Sequence, residues 1–279
     1  MQNTSIIIIS WNEKEELIQC TSNLLEYNPD IHMIFIDNGS TDGTNIWLQE
    51  LGADYIYFDE GVQPFGKAIN IALENFPLND NIIILFPKYH LGSNCIKELV
   101  KILNTDNHTG VVGICSDIIK NGQEVPISSI SELHYLETLP THTTSLYTLG
   151  NSGYCFGFKK SLIEKIGFFD EDIAYTDIFL DYQLRCIING YINRIATSAY
   201  AFNQNVKSSQ APYLTELKIA DRNILRKKWN THYFFLGPND ELINKGKNEV
   251  KLDISSLSSF KRLSKSIFIL SSMINGGIL

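Results

Sequence analysis

The sequence contains no CxxC pair. Its five cysteines (Cys20, Cys95, Cys115, Cys155 and Cys186) are odd in number and stand one by one along the chain. That disfavours a disulfide framework or a cysteine-based zinc site and points to reduced, buried thiols. Positive charge is also scarce: 23 Lys and Arg against 31 Asp and Glu, a net charge of −8. Such a surface is a poor general partner for nucleic acid or an anionic membrane. No apolar run approaches the ~20 residues of a membrane span, and the step from MQNTS into IIIIS lacks the basic segment of a signal peptide. A cytoplasmic protein is the expectation, with peripheral attachment to the inner face of a membrane as the alternative. Internal repeats and low-complexity tracts are missing too. What is present is a 279-residue chain, 44% hydrophobic and 19% charged. That suffices for one large domain, or one domain with a small appendage.

The first 120 residues alternate between two patterns. Short runs rich in Ile and Val read as buried strands at 5–10, 32–40, 53–60, 81–86 and 111–119. Helical spacing fills 11–27, 44–51, 66–76 and 93–104. Asn12 is a candidate cap for the first of these helices and Ser93 for the last. Such alternation predicts βαβ units in a mainly parallel sheet flanked by helices, an α/β fold. Right-handed crossovers then bring the C-terminal ends of the strands to one edge. That edge gathers Ser10-Trp11-Asn12, Asp37-Asn38-Gly39-Ser40, Glu60-Gly61 and Lys88-Tyr89-His90. Ligands of open α/β sheets bind beyond such an edge.

The second half is less regular. Residues 120–150 are polar and rich in Ser and Thr, which predicts a long loop or hairpin excursion. A glycine-containing strand, a helix and an acidic turn follow within 151–173. A helix at 179–191 ends at Gly190, then come a strand at 194–202 and a helix at 213–229.

Two stretches carry candidate chemistry. In FIDNGSTDGT (35–44) a strand delivers Asp37 to the edge and Asn38-Gly39 turns the chain. Ser40, Thr41 and Asp42 then surround a helix start. An Asp there can accept hydrogen bonds from a base or ribose, and a helix N-terminus favours anions. By itself the pattern also suits a plain capped strand-turn-helix. In IIILFPKYHLG (82–92), Pro87 ends a strand, and Lys88, Tyr89 and His90 follow at the edge. Lys88 and His90 are also readable as ordinary loop residues.

In this order, SIIIISWNEKEEL, IDNGSTDGT and PFGKAINIAL resemble the motifs of the family 2 glycosyltransferases of the GT-A type. Gly167-Phe168-Phe169-Asp170-Glu171 resembles the family's FDE turn, and the stretch from Leu184-Arg185 to Gly190-Tyr191 resembles its LxxRxxxxGY-type helix. The resemblance covers about residues 5–230. It implies a GT-A-like domain over 1–230, leaving 231–279 as a C-terminal extension, expected to be helical. It also implies a UDP- or GDP-type nucleotide-sugar donor and a glycan, lipid or protein acceptor. Asn12 and Asp37 would line the nucleoside pocket beside Asn38, Asp37 would hold the base, and Gly66 and Asn70 would lie near the nucleotide.

The chain departs from the family pattern at three places. The family usually ends its fourth strand with an acidic NPD- or DxD-like motif, whose carboxylate holds a divalent cation (Mn or Mg) against the donor diphosphate. Here that motif reads Phe86-Pro87-Lys88. An EDxDL-like motif usually supplies the base; here Ile178-Phe179 stand at the ED pair, Asp181 survives, and Asp177 lies two residues before Phe179. In TSAYAFNQN (197–205) a late histidine that often helps the metal is absent, with Tyr200 and Phe202 in its neighbourhood. The usual metal ligands are therefore not expected. Two readings stay open. One is a metal-independent transferase in which Lys88, with His90, stabilises the leaving diphosphate, and Asp177 or Asp181 is the base of an inverting displacement. The other is a non-catalytic member that binds nucleotide or stabilises a partner transferase.

The tail segment FKRLSKSIFILSSMINGGIL (260–279) follows Lys261, Arg262 and Lys265 with Ile267, Phe268, Ile269 and Leu270. It reads as a helix that packs back onto the domain or onto a second copy, with a membrane surface or another partner as the alternative.

Overall fold

The computed structural model describes residues 3–229 except 118–122, 124, 126, 140–144, 149, 152–153 and 204–211, together with 235–236 and 242–243. Apart from those last four residues, the C-terminal extension expected at 231–279 lies outside the described residues, and so does the tail segment 260–279.

The alternating first half comprises β1 (Thr4–Ser10), α1 (Lys14–Tyr27), β2 (His32–Asp37), α2 (Thr44–Leu51), β3 (Asp54–Tyr57), α3 (Phe65–Asn75) and β4 (Asn81–Leu85). It continues with β5 (Tyr89–Leu91), α4 (Cys95–Leu103) and β6 (Thr109–Ser116). The second half adds α5 (Ile130–Thr138), β7 (Ser145–Tyr147), β8 (Cys155–Lys159) and α6 (Lys160–Ile166). Then come α7 (Asp177–Ile188), β9 (Ile192–Asn203) and α8 (Pro212–Trp229), with a two-rung ladder of β10 (Phe235–Leu236) and β11 (Leu242–Ile243).

The main sheet runs β3-β2-β1-β4-β8-β6-β9-β5, with β7 also paired to β9. Its first four strands are parallel, as βαβ alternation requires. The rest is mixed. β8 is antiparallel to both β4 and β6, and β5 and β7 are antiparallel to β9. The isoleucine run of β1 is explained by burial on both faces. Ile6 and Ile8 pack with Leu17, Leu24 and Leu48 on one side, while Ile7 and Ile9 pack with Ala68, Ile69, Phe156 and Phe179 on the other.

Four local expectations change. Asn12 does not cap α1: Glu13 holds the cap position without a side-chain bond, and the Lys14 amide donates to Asp42 Oδ2 at 2.9 Å. Ser93 does not cap α4, which begins at Cys95. Instead the Ser93 and Asn94 amides and the Ser93 hydroxyl donate to the Glu137 carboxylate of α5. The 120–150 excursion contains a helix, α5, whose start is closed by Ser129 and Glu132 in the reciprocal S-x-x-E manner, with Ser128 supplying the second amide. Finally, Tyr89 to Leu91 is not loop but a short strand on β9.

Candidate functional site

On the nucleotide side, β1 and β2 end together, with Ser10 and Asp37 as register partners. Asp37 has no exposed surface. Its Oδ1 accepts from the Ser40 amide at 3.0 Å. Its Oδ2 and the neighbouring Ser10 Oγ are buried with no hydrogen-bond partner. Burial pushes the Asp37 carboxyl above its usual range, against the pull of the Ser40 hydrogen bonds. Orphaned buried polar atoms are few in native proteins and cost about 1–3 kcal/mol each. Two at adjacent strand ends make this a place where an incoming donor group would be stabilised.

The turn around Asp37 is tightly built. Asn38 donates to the Gln63 carbonyl at 3.0 Å and accepts from the Gln63 amide at 2.9 Å. Residues 61–63 thereby lie over the 38–40 turn. Gly39 has φ +83°, and a Cβ there would come within 2.7 Å of the Gly61 carbonyl carbon, so this position requires glycine. Asn12 is itself left-handed at φ 52°. Its Oδ1 accepts from the Thr41 amide at 2.8 Å, and its own amide donates to Ser40 Oγ at 2.9 Å. Asp42 accepts from the Lys14 amide and from the amide and hydroxyl of Thr44, joining the starts of α1 and α2. Burial would raise the Asp42 carboxyl, but these bonds outweigh it and hold the group below its usual range.

Gly66 and Asn70 sit on α3 against the FDE turn. A Cβ on Gly66 would lie 2.9 Å from the Asp170 carbonyl oxygen. Asn70 exchanges two 3.0 Å hydrogen bonds with the Phe169 backbone and donates to Glu171 Oε1 at 2.9 Å. The polar atoms of Asn70 are thus spent on holding that turn.

At the Phe86-Pro87-Lys88 turn, Lys88 Nζ lies 2.7 Å from Glu13 Oε1. Burial pushes the Glu13 carboxyl up, with the Lys88 ammonium acting against it. Lys88 and His90 line one cleft with Glu16, Gln19, Cys20, Pro87 and Tyr89. His90 lies 3.3 Å from Asn23 Nδ2, and its ring centroid is 6.4 Å from that of His134. Burial, then His134, pushes its pKa down. Phe86 is buried, with ring centroids 5.2 Å from Phe65, 5.9 Å from Tyr154 and 6.0 Å from Phe179. A divalent cation of the Mg or Mn kind needs oxygen ligands, chiefly carboxylates. This turn offers a phenyl ring and an ammonium instead. No group of three His, Cys, Asp or Glu side chains among the described residues could hold a metal ion. At the late histidine position, Tyr200 and Phe202 pack with Cys115, Ile127, Leu133 and Ile195. These residues do not fit a divalent cation.

The candidate bases are both engaged. Asp181 has no exposed surface. Its Oδ1 accepts from Trp229 Nε1 at 2.9 Å and lies 2.8 Å from Lys228 Nζ, and its Oδ2 accepts from Arg185 Nε at 3.0 Å. Both Asp181 oxygens are thus taken and tie α8 to α7, so a role as base would require it to give up one of these partners. Lys228 bridges onward to Asp170. Asp177, at the start of α7, faces Arg222 of α8 through two contacts of 2.8 and 2.7 Å. Phe179, at the family's base position, is buried among the rings of Phe86, Phe156 and Phe169. Sequence reasoning missed Glu13, Gln63, Asp221 and Arg222. Glu13 alone had a signal, since it lies within the SIIIISWNEKEEL stretch that carries the family resemblance.

Residues 5–167 match the family profile described as Glycosyl transferase family 2. Polyprenol monophosphomannose synthase of Mycolicibacterium smegmatis is 24% identical over 203 residues, 68% of this chain and 74% of the relative. Among solved structures, the mannosyltransferase PcManGT from Pyrobaculum calidifontis, in complex with GDP-Man and Mn²⁺, superposes at a TM-score of 0.57 with 15% identity. That match covers 99% of this chain and 76% of the other. GalNAc-T7 with UDP, GalNAc and Mn²⁺ gives the same TM-score at 12% identity, covering 72% of this chain and 43% of that longer one. The profile spans more than half of the chain and the solved structures share its fold, so this protein belongs to glycosyl transferase family 2 and has the GT-A fold.

Proposed function

We propose that the chain transfers a sugar from a UDP- or GDP-type nucleotide sugar to a glycan, lipid or protein acceptor without a bound divalent cation. The observation that carries this reading is the orphaned Asp37 Oδ2 beside the orphaned Ser10 Oγ at the ends of two parallel strands. A base N–H or ribose hydroxyl donating there would satisfy a buried carboxylate. The GDP-Man bound to PcManGT and the UDP bound to GalNAc-T7 support the donor class.

In this reading Lys88 turns from Glu13 to the leaving diphosphate, supplying fixed positive charge. The acceptor hydroxyl oxygen bonds to the anomeric carbon, the bond from that carbon to phosphate oxygen breaks, and the diphosphate leaves with the electron pair. Asp177 takes the acceptor proton, for which it must part from Arg222. A second reading, nucleotide binding without transfer, is favoured by one observation. Phe179 stands where the family resemblance implies the base, and its ring packs edge to face against that of Phe86.

Calorimetric titration with UDP, GDP and their sugars, in EDTA and then with Mn²⁺, separates the cases. Equal binding in EDTA together with sugar release supports metal-independent transfer. Binding without turnover supports the second reading. Binding that needs Mn²⁺ overturns both the Lys88 role and the ligand chemistry described above.

A further inference from the structure

Helix α7 lacks a cap of its own. Thr176 holds the cap position and makes no side-chain hydrogen bond. The turn just before the helix is held from α8 instead. Asp221, 1% exposed, accepts from the Ala174 amide with Oδ1 at 2.8 Å and from the Tyr175 amide with Oδ2 at 2.6 Å. One residue further along α8, Arg222 meets Asp177. On its other side the same short segment is held by α3. The Phe65 amide donates to the Ala174 carbonyl at 2.9 Å, and the Phe65 and Tyr175 rings lie 5.1 Å apart. Phe65 is two residues from Gln63, which Asn38 grips over the Asp37 turn. The backbone of Ala174-Tyr175 is thus a clasp between α8 and the donor-side loop, and Asp177 follows directly from it. All of the clasp except Phe65 lies beyond the span that matches the family profile, which ends at residue 167.

We propose that Asp221 is a positioning residue of this enzyme: its buried carboxylate fixes the 174–177 turn, sets Asp177 for the acceptor and ties that turn to the donor-side loop. The assignment rests on the transfer reading above for its catalytic consequence, but not for its structural one. Two amides on two separate oxygens need a carboxylate. An asparagine keeps the shape but turns a donor toward one of the amides.

The test compares the full chain with Asp221→Asn and Asp221→Ala by amide exchange, UDP and GDP calorimetry, and hydrolysis of UDP-glucose and GDP-mannose in EDTA. In both variants the amides of Ala174, Tyr175 and Phe65 should exchange about tenfold faster. Nucleotide affinity should stay within about twofold. Hydrolytic kcat should fall about a hundredfold at unchanged donor KM, as expected when a reacting group is misplaced. Unchanged exchange at these amides overturns the proposal, and so does faster exchange with unchanged kcat. Nucleotide binding lost together with kcat also overturns it, since Asp221 would then support the whole fold. If the unsubstituted chain neither binds nor hydrolyses these donors, the transfer reading fails. The Asp221 assignment is then decided by exchange alone: faster exchange at both Tyr175 and Phe65 upholds the clasp, and faster exchange at Tyr175 only sinks it.

Discussion

Phe86 and Phe179 meet edge to face, with ring centroids 6.0 Å apart and planes at 81°. Phe179 stands on α7 where the family resemblance leads one to expect the base, and Phe86 lies two residues before Lys88, which stands where it leads one to expect the metal-binding acid. Phe65 contacts both rings, at 5.2 and 6.4 Å. The departure on α7 is therefore packed against the turn that carries the departure at Lys88. A lone carboxylate in place of either phenylalanine would be buried among aromatic rings.

An acid placed in this ring cluster should then be costly. Phe86→Asp is expected to lose about 3–5 kcal/mol of stability in urea unfolding, the range for removing a large buried ring. Single and double leucine substitutions at 86 and 179 should be non-additive by about 0.5–1.5 kcal/mol, the part specific to the ring pair. A fully additive pair would mean that the rings merely share a neighbourhood.

Asp177 and Asp181 should separate cleanly. Asp181→Asn removes the charge that holds Arg185, Lys228 and Trp229, so it should cost about 3–5 kcal/mol, as breaking a buried ion pair does. If Asp177 is the base, Asp177→Asn should cut transfer about 10²–10⁴-fold while nucleotide binding persists. Full activity in Asp177→Asn would remove it from the mechanism.

The Lys88–Glu13 contact gives a paired test. If Lys88 must leave Glu13 to meet phosphate, Glu13→Gln should tighten UDP binding in EDTA about tenfold, and Lys88→Ala should loosen it about as much. Uridine, which has no phosphate, should respond to neither change. A Glu13→Gln protein with unaltered UDP affinity would show that Lys88 is a structural partner of Glu13 and nothing more.

Asp37 and Asp42 should act on stability with opposite signs. The folded Asp37 carboxyl is raised above 3.8, so its neutral form favours folding. That contribution is complete below the unfolded value and is lost as pH rises through the folded one. The folded Asp42 carboxyl is lowered below 3.8, so its contribution is present above that value and is lost as pH falls through the folded one. Unfolding of nucleotide-free protein between about pH 3 and 7 should show Asp37→Asn gaining on the parent as pH rises, and Asp42→Asn losing ground. Parallel curves for the two variants would contradict this assignment of charge.

Much of the fold was legible beforehand, because strand and helix periodicity is a local property. The four parallel strands and the helices between them lie where the isoleucine runs and helical spacing put them. The excursion at 120–150 hid α5, although Ser129 and Glu132 stood at capping-box spacing. The antiparallel entry of β8 had no such mark, because strand direction is set by where the chain returns and not by composition.

The sequence by itself determined the α/β class, which segments meet at the sheet edge and the absence of the usual metal-ligand motif. Only the tertiary structure decided which polar groups at that edge are already occupied. Asn70 is claimed by Phe169, 99 residues away, and Asp181 by Trp229, 48 residues away. Asp37 keeps one oxygen without a partner. The periodicity of a strand or helix depends on neighbours in the chain. Whether a carboxylate is free to meet a ligand depends on which distant donors the folded chain brings within hydrogen-bonding distance, and no local pattern encodes that.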